Sequence, residues 1–303
     1  MQPQIIGREA WAPALAVMVS AVLWGLWWMP LRALEARGLS GDWASVVLYG
    51  FGALVVLPMV VSRRQRIRGV KRAALAVGLL FGSALAAWSH AILIGDVVRV
   101  TLLFYLSPVW ATVFGMIVLG DRPSVVRLGA IVAGLAGAAV VLGMEGGLPL
   151  PRSEADWMSL VSGVLFAAAA TVTRKAGATG DFEQTFATFA FTALFAWLLM
   201  VLAPGDAMTL PSLGSPVLWV LAAAATTLWL VPTTWLVLWG AARLDPGRVT
   251  ILLFLEVGAA ALSAGLLTNE PLGWRELVGG LLILGAAAAE ALGGNTGPPR
   301  QRA

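Results

Sequence analysis

The chain has 303 residues, 59% of them hydrophobic and 12% charged, with a formal net charge of +4. A soluble domain carries about a quarter charged residues, so this composition and a mean hydropathy of +0.86 exclude an ordinary globular protein in water. The absence of cysteine excludes disulfides and thiol chemistry. Two lysines and a single histidine leave no Gly-x-x-x-x-Gly-Lys phosphate loop and no metal cluster of the usual kind.

Ten apolar runs follow in chain order: 12–31, 44–62, 73–94, 100–119, 124–144, 157–173, 184–203, 217–240, 249–267 and 274–292. A hydrocarbon core of about 30 Å is crossed by about 20 such residues in a helix. The runs leave short loops and no room for a soluble domain. They predict an all-α polytopic membrane protein with ten transmembrane helices. A β-barrel is set aside, because its segments alternate and run to about ten residues. The first run follows a lone Arg8 and exceeds the apolar core of a signal peptide, so it is read as retained.

With both termini in the cytoplasm, 15 of the 20 Lys and Arg residues fall in inner segments. That bias sets the orientation. The dense run Arg63–Arg68, with Lys71 and Arg72, joins two helices and reads as an anchor against anionic headgroups, not as a nucleic-acid surface. Gly293–Ala303 reads as a disordered tail.

The chain is written twice. Arg99-Val-Thr-Leu-Leu-Phe-Tyr-Leu-Ser-Pro108 recurs as Arg248-Val-Thr-Ile-Leu-Leu-Phe-Leu-Glu-Val257, and Ser20-Ala-Val-Leu-Trp24 returns as Ser162-Gly-Val-Leu-Phe166. Arg32 and Arg174 each stand twelve positions after their serine. The expected units are 1–147 and 148–293, joined by the Gly- and Pro-rich stretch near Glu145–Glu154, with 294–303 as tail. An odd number of helices per unit turns the second upside down, giving two inverted five-helix repeats of the kind found in alternating-access transporters. Gly129, Gly134 and Gly137 in the fifth run and Gly279, Gly280 and Gly285 in the tenth suit close helix approach in lipid.

Pro108 and Pro232 lie inside the fourth and eighth runs, where each removes a backbone donor and frees a carbonyl. Ser107, Thr233 and Thr234 stand ready to cover part of the loss. A packing kink and a cavity-lining break are both open for each proline.

Two ionisable residues stand inside membrane windows, His90 and Glu256, and such groups are functional candidates by default. The rival readings are an interior hydrogen-bonded histidine and a neutral glutamic acid covering broken backbone. Aromatics are more distinctive, with 14 Trp against 2 Tyr. Trp11, Trp43, Trp157, Trp219 and Trp274 sit at span ends and fit an interfacial belt. Trp24, Trp27, Trp28, Trp88, Trp110, Trp229, Trp235 and Trp239 do not. Trp24 and Trp28 share a helix face, and Thr101, Tyr105, Pro108 and Thr112 form one semi-polar stripe. Together these residues suit a cavity with flat apolar walls and few polar groups, against ordinary packing as the rival. No paired catalytic groups appear inside a helix, so an enzyme is not expected.

Leu106-Ser-Pro108 before a helix ending Gly120-Asp121, then Gly129, is similar to the first repeat of the ten-helix drug/metabolite transporter superfamily with paired EamA-type repeats. Leu255-Glu-Val257, Asn269-Glu270 and Gly279-Gly-Leu-Leu-Ile-Leu-Gly285 match its second repeat, with Val257 in place of the customary proline and Asn269 in place of glycine. The Trp-rich first helix and neutral aromatic interior most resemble the YddG-type aromatic amino-acid exporters. That resemblance implies export of amino acids, chiefly Phe, Tyr or Trp with others left open, across a bacterial inner membrane, by alternating access and with no cofactor. Lipid and small-molecule substrate are the partners it implies, with no nucleic acid and no obligate protein partner. Trp24, Trp28, Tyr105, Trp229 and Trp235 are then expected as walls, and His90, Thr101 and Glu256 as polar contacts. Thr101 and Thr250 lie near opposite faces by the repeat and suit gates. The alternative substrate class is organic cations and drugs, drawn by Glu256 among aromatics. Sugar phosphates are disfavoured because no Lys or Arg stands centrally.

Overall fold

The computed structural model describes residues 11–39, 41–62, 68–143, 150–177, 180–202, 215–267 and 273–293. Arg8, residues 63–67 of the basic run, linker residues 145–149, Asn269-Glu270 and the tail 294–303 lie outside the described residues. Eight stretches are long and apolar enough to span a membrane: Trp11–Glu35, Gly41–Ser62, Arg72–Ile94, Arg99–Leu119, Glu154–Ala176, Asp181–Leu202, Pro216–Ala241 and Pro246–Leu267. Val125–Val141 and Leu277–Leu292 are shorter apolar helices. These ten segments coincide with the ten runs of the sequence, and the described residues contain no strand.

Several of the segments are not single helices. The first is α1 (Trp11–Gly25) and α2 (Trp28–Glu35), followed by α3 (Gly41–Ser62) and α4 (Arg68–Ile94). The fourth is α5 (Val97–Phe104), α6 (Ser107–Phe114) and a π-helical turn Gly115–Leu119, and the fifth is α7 (Val125–Val141). The second half opens with α8 (Glu154–Ala176) and α9 (Asp181–Leu202). Its third segment runs through α10 (Pro216–Ala225), a π-helical turn Thr226–Leu230 and α11 (Val231–Ala241). The ninth is α12 (Pro246–Leu252) and α13 (Leu255–Leu267), and the tenth is α14 (Trp274–Gly293).

The prolines act at these interruptions, but as packing features. Pro108 stands in the first turn of α6 and Pro232 in the first turn of α11, where a missing N–H costs least. Pro108 is buried, and neither proline reaches the cavity described below. The cavity-lining alternative for both is therefore not realised. The ninth segment breaks at the same place as the fourth although Val257 replaces the proline, with the Val257 amide donating to the Phe254 carbonyl over 3.0 Å.

Crossings between the halves follow the repeat. Ser20 Oγ donates to the Thr233 carbonyl (2.9 Å), tying α1 to α11, and Ser162 Oγ donates to the Ala84 carbonyl (2.7 Å), tying α8 to α4. The same serine thus makes the same bond in each half, onto the third helix of the other half. The fifth and tenth helices, whose glycines suit close approach, meet each other: a Cβ on Gly137 would lie 2.7 Å from the Gly279 carbonyl oxygen. Gly129, Gly280 and Gly285, expected to serve the same approach, meet nothing within 4 Å, and Gly134 packs on the Phe254 ring instead.

Gly25 closes the tightest approach near the centre. A Cβ there would stand 2.4 Å from the Glu256 carbonyl oxygen and 2.7 Å from Ala259 Cβ, so α1 meets α13 backbone to backbone. Gly25→Ala is expected to destabilise the protein by about 1–3 kcal/mol, the cost of overpacking. Gly50→Ala in α3, where a Cβ meets nothing within 4 Å, should be neutral or slightly stabilising. Thermal unfolding of the two variants in one detergent checks the contrast.

Candidate functional site

The breaks of the first, fourth and ninth segments face a common space. Each is closed by a tight i to i−3 bond: Trp27 N to Trp24 O (3.0 Å), Leu106 N to Leu103 O (3.3 Å) and Phe254 N to Ile251 O (3.1 Å). Around them lies a cavity of about 810 Å³. Its base and walls hold Glu256, Tyr105, Tyr49, Trp24, Trp27 and Trp88. It extends to the half-buried Leu31 and the exposed Arg32, Glu35, Leu93 and Val97, which form its mouth.

Glu256 sits in the first turn of α13. A helix N-terminus presents unpaired N–H groups and a partial positive charge, which is why a carboxylate is tolerated there at mid-depth. The Tyr105 hydroxyl donates to this carboxylate. Among the described residues no arginine, lysine or histidine forms an ion pair with Glu256. The wall is fixed from several sides: Trp28 Nε1 donates to Ser263 Oγ (3.0 Å), and Trp24 meets Trp27 edge to face at 6.3 Å. At the mouth the Arg32 guanidinium lies 5.1 Å over the Trp28 ring, a cation–π contact that keeps the charge beside the opening.

Of the residues expected at the site, Trp24, Trp28, Thr101, Tyr105 and Glu256 line the cavity. The other three do not. His90 is turned to Asp42, with Nδ1 2.9 Å from Oδ2, and joins α4 to the start of α3. Trp229 directs its Nε1 to the Leu23 carbonyl (2.8 Å). Trp235 stacks on Phe182 at 6.0 Å and neighbours Trp239. On α4 the cavity side is taken by Trp88, Ser89, Ile92 and Leu93, and no residue of the segment carrying Trp229 and Trp235 lines the cavity; spacing along one helix reveals neither. Thr250, expected as a gate, is buried and bonded to the Pro246 and Gly247 carbonyls of its own helix. Tyr49 and Arg32 were missed as cavity residues. The sequence offered one signal for Tyr49, since the chain has only two tyrosines and both face this cavity.

The matched relatives agree with this architecture. Residues 11–143 match the model of the EamA-like transporter family. The first half of the chain is thus similar to an EamA-like transporter domain. A solved crystal structure of a protein with 17% sequence identity aligns at a TM-score of 0.71, covering 92% of this chain and 97% of that one. At that identity the likeness shows the fold, and its coverage carries the fold past the EamA-like domain through the second half. No curated protein matches the sequence.

A small void of about 50 Å³ lies beyond Glu256, walled by Trp24, Phe81, Trp88, Phe104 and Phe166. Phe166 packs 5.1 Å from Phe81 and 5.7 Å from Phe104, forming an aromatic plug. Further on, Arg127 of the EamA-like domain pairs with two carboxylates of the second half, Asp245 (3.1 Å) and Glu290 (3.0 Å). Arg127 and Glu290 are only 9% and 3% exposed as side chains. Nearby, burial and then the Asp245 carboxylate push Asp121 upward from its ordinary value, against the pull of Arg127 and Arg174.

Breaking one side of a buried pair costs about 3–5 kcal/mol, because a charge is left uncompensated. Arg127→Ala is therefore expected to loosen this end. Because the chain has no cysteine, a single Thr112→Cys, buried at this end beside Gly247, reports the change. Its labelling by an impermeant maleimide should rise at least about tenfold with Arg127→Ala. Because Asp121 is pushed upward, lowering the pH neutralises it ahead of an ordinary carboxylate and relieves its repulsion with Asp245, so the increase should be larger at pH 8 than at pH 5.

Proposed function

We propose that this chain is a carrier that moves amino acids, chiefly aromatic ones, out of the cytoplasm by alternating access. It would reside in a bacterial inner membrane with both termini inside, as two inverted repeats spanning 1–147 and 148–293. The observation that carries the reading is the cavity itself: about 810 Å³, walled by tryptophans, with one carboxylate and two tyrosines at its base. That chemistry matches an aromatic amino acid feature by feature. The ring stacks among Trp24, Trp27, Trp28 and Trp88, the ammonium group meets Glu256, and Arg32 at the mouth complements the carboxylate. A space of this size accommodates a small solute with room to reorient.

A second reading is supported by one feature. Glu256 is without a cationic partner among the described residues, as a site for organic cations would require, and cation–π contacts with the surrounding rings would add to such binding. Lipid movement and catalysis gain no such support, since no paired reactive groups line the cavity.

Counterflow of radiolabelled phenylalanine into proteoliposomes preloaded with unlabelled phenylalanine separates the two. Competition by aromatic amino acids and not by a cationic dye is expected; dye transport without phenylalanine exchange would overturn the amino-acid reading. A hydrogen bond to a charged group contributes about 1.5–3 kcal/mol, so Glu256→Gln should raise KM about tenfold to a hundredfold. Tyr105→Phe removes only the donor to Glu256 and should raise KM less, by about threefold to tenfold. Equal transport by both variants at equal membrane levels would remove these residues from the site.

A further inference from the structure

Trp229 lies outside the cavity yet makes a side-chain bond to the backbone at the break of the first segment. In a continuous helix the Trp27 amide would donate to the Leu23 carbonyl. Here it donates to Trp24 instead, at 3.0 Å, while Leu26 still reaches Val22. The Leu23 carbonyl is left without its helical donor, at the depth where Gly25 touches the Glu256 backbone. An unpaired carbonyl in hydrocarbon is costly. Trp229 Nε1 supplies the missing bond at 2.8 Å from another segment.

The two halves provide their own control. Ser20 with Thr233, and Ser162 with Ala84, fix which positions correspond. Three residues after each serine stand Leu23 and Leu165; four residues before each acceptor stand Trp229 and Leu80. In the second crossing α8 runs unbroken through Leu165, and the residue opposite is Leu80, which has no donor. In the first crossing the helix breaks, and the residue opposite is a tryptophan carried on the π-helical turn Thr226–Leu230. A donor is present where a carbonyl is freed, and absent where none is.

We propose that Trp229 is a positioning residue for the cavity: its indole caps the break between α1 and α2 and thereby sets where Trp24, Trp27 and Trp28 stand around Glu256. Trp27 and Trp28 follow the break directly, and Trp24 precedes it by one turn. The break angle governs all three. Without the cap the freed carbonyl would draw the chain back toward continuous helix or toward water, and the tryptophan wall would shift. The kinetic consequence rests on the transport reading above; the structural consequence does not.

Trp229→Phe keeps a ring and removes the donor. Hydrogen exchange of the purified protein in nanodiscs should show the amides of Leu26, Trp27 and Met29 exchanging about tenfold faster, with α8 unchanged. Trp235→Phe serves as the second variant, because that tryptophan lies in the same segment, stacks on Phe182 and its Nε1 makes no hydrogen bond; exchange at the break should stay as in the native chain. In counterflow, Trp229→Phe should raise KM for phenylalanine about fivefold or more at nearly unchanged Vmax. Native exchange rates at the break in Trp229→Phe would overturn the cap, as would equal acceleration in α8 or the same acceleration in Trp235→Phe. Faster local exchange with unchanged KM would overturn the link to the cavity. Absence of phenylalanine transport by the native chain would defeat the amino-acid reading alone, and the exchange data would still decide the cap.

Discussion

Within a bilayer every backbone carbonyl and amide must find a partner in the protein, because no water is there to take its place. This chain nevertheless interrupts three of its spanning segments near mid-depth, at Leu26-Trp27, Tyr105-Leu106 and Leu253-Phe254. The rest of the structure depends on how those interruptions are satisfied. Tight turns take up part of the loss, and Trp229 takes the Leu23 carbonyl. In return, a helix N-terminus is brought into the interior of the bundle, and Glu256 occupies it. An acidic side chain at that depth is then a consequence of the break, held by the local dipole and by Tyr105.

The two ends of the bundle are held by different physics. At the mouth, Arg32 lies on the Trp28 ring. At the closed end, an aromatic plug of Phe81, Phe104 and Phe166 is backed by the Arg127–Asp245–Glu290 network, which joins the EamA-like domain to the second half. Desolvated charges are costly unless matched, so such a network favours either full closure or full separation over intermediate gaps. That suits a carrier whose interior faces one side at a time. The hydrogen-bonded serine crossings, Ser20 on α11 and Ser162 on α4, lie between these ends and relate the halves by the same contact.

Much of the fold was legible because lipid imposes a simple rule. A run of about 20 apolar residues has few other fates, and ten runs became ten helical segments. The copied serines, Ser20 and Ser162, make matching bonds between the halves, and the glycines that suit close approach do bring α7 and α14 together at Gly137 and Gly279. Glu256, Tyr105, Thr101, Trp24 and Trp28 line one cavity, and they stood out in the sequence because polar or flat residues on a greasy helix are unusual.

What the sequence determined by itself was the class of molecule: its helices, its repeat and the scarce groups able to carry recognition. Tertiary structure decided which of those groups share one space. His90 was as conspicuous as Glu256, yet it faces Asp42 across the α3–α4 contact. Trp229 and Trp235 were as conspicuous as Trp24, yet one caps a broken helix and the other stacks on Phe182. Tyr49 attracted no notice on α3 and lies at the base of the cavity. The physical reason is that helical spacing specifies a face, while the neighbour of that face is chosen by how the helices cross. Those crossings are set by contacts between residues hundreds of positions apart, such as Gly25 against Glu256, which no local pattern encodes.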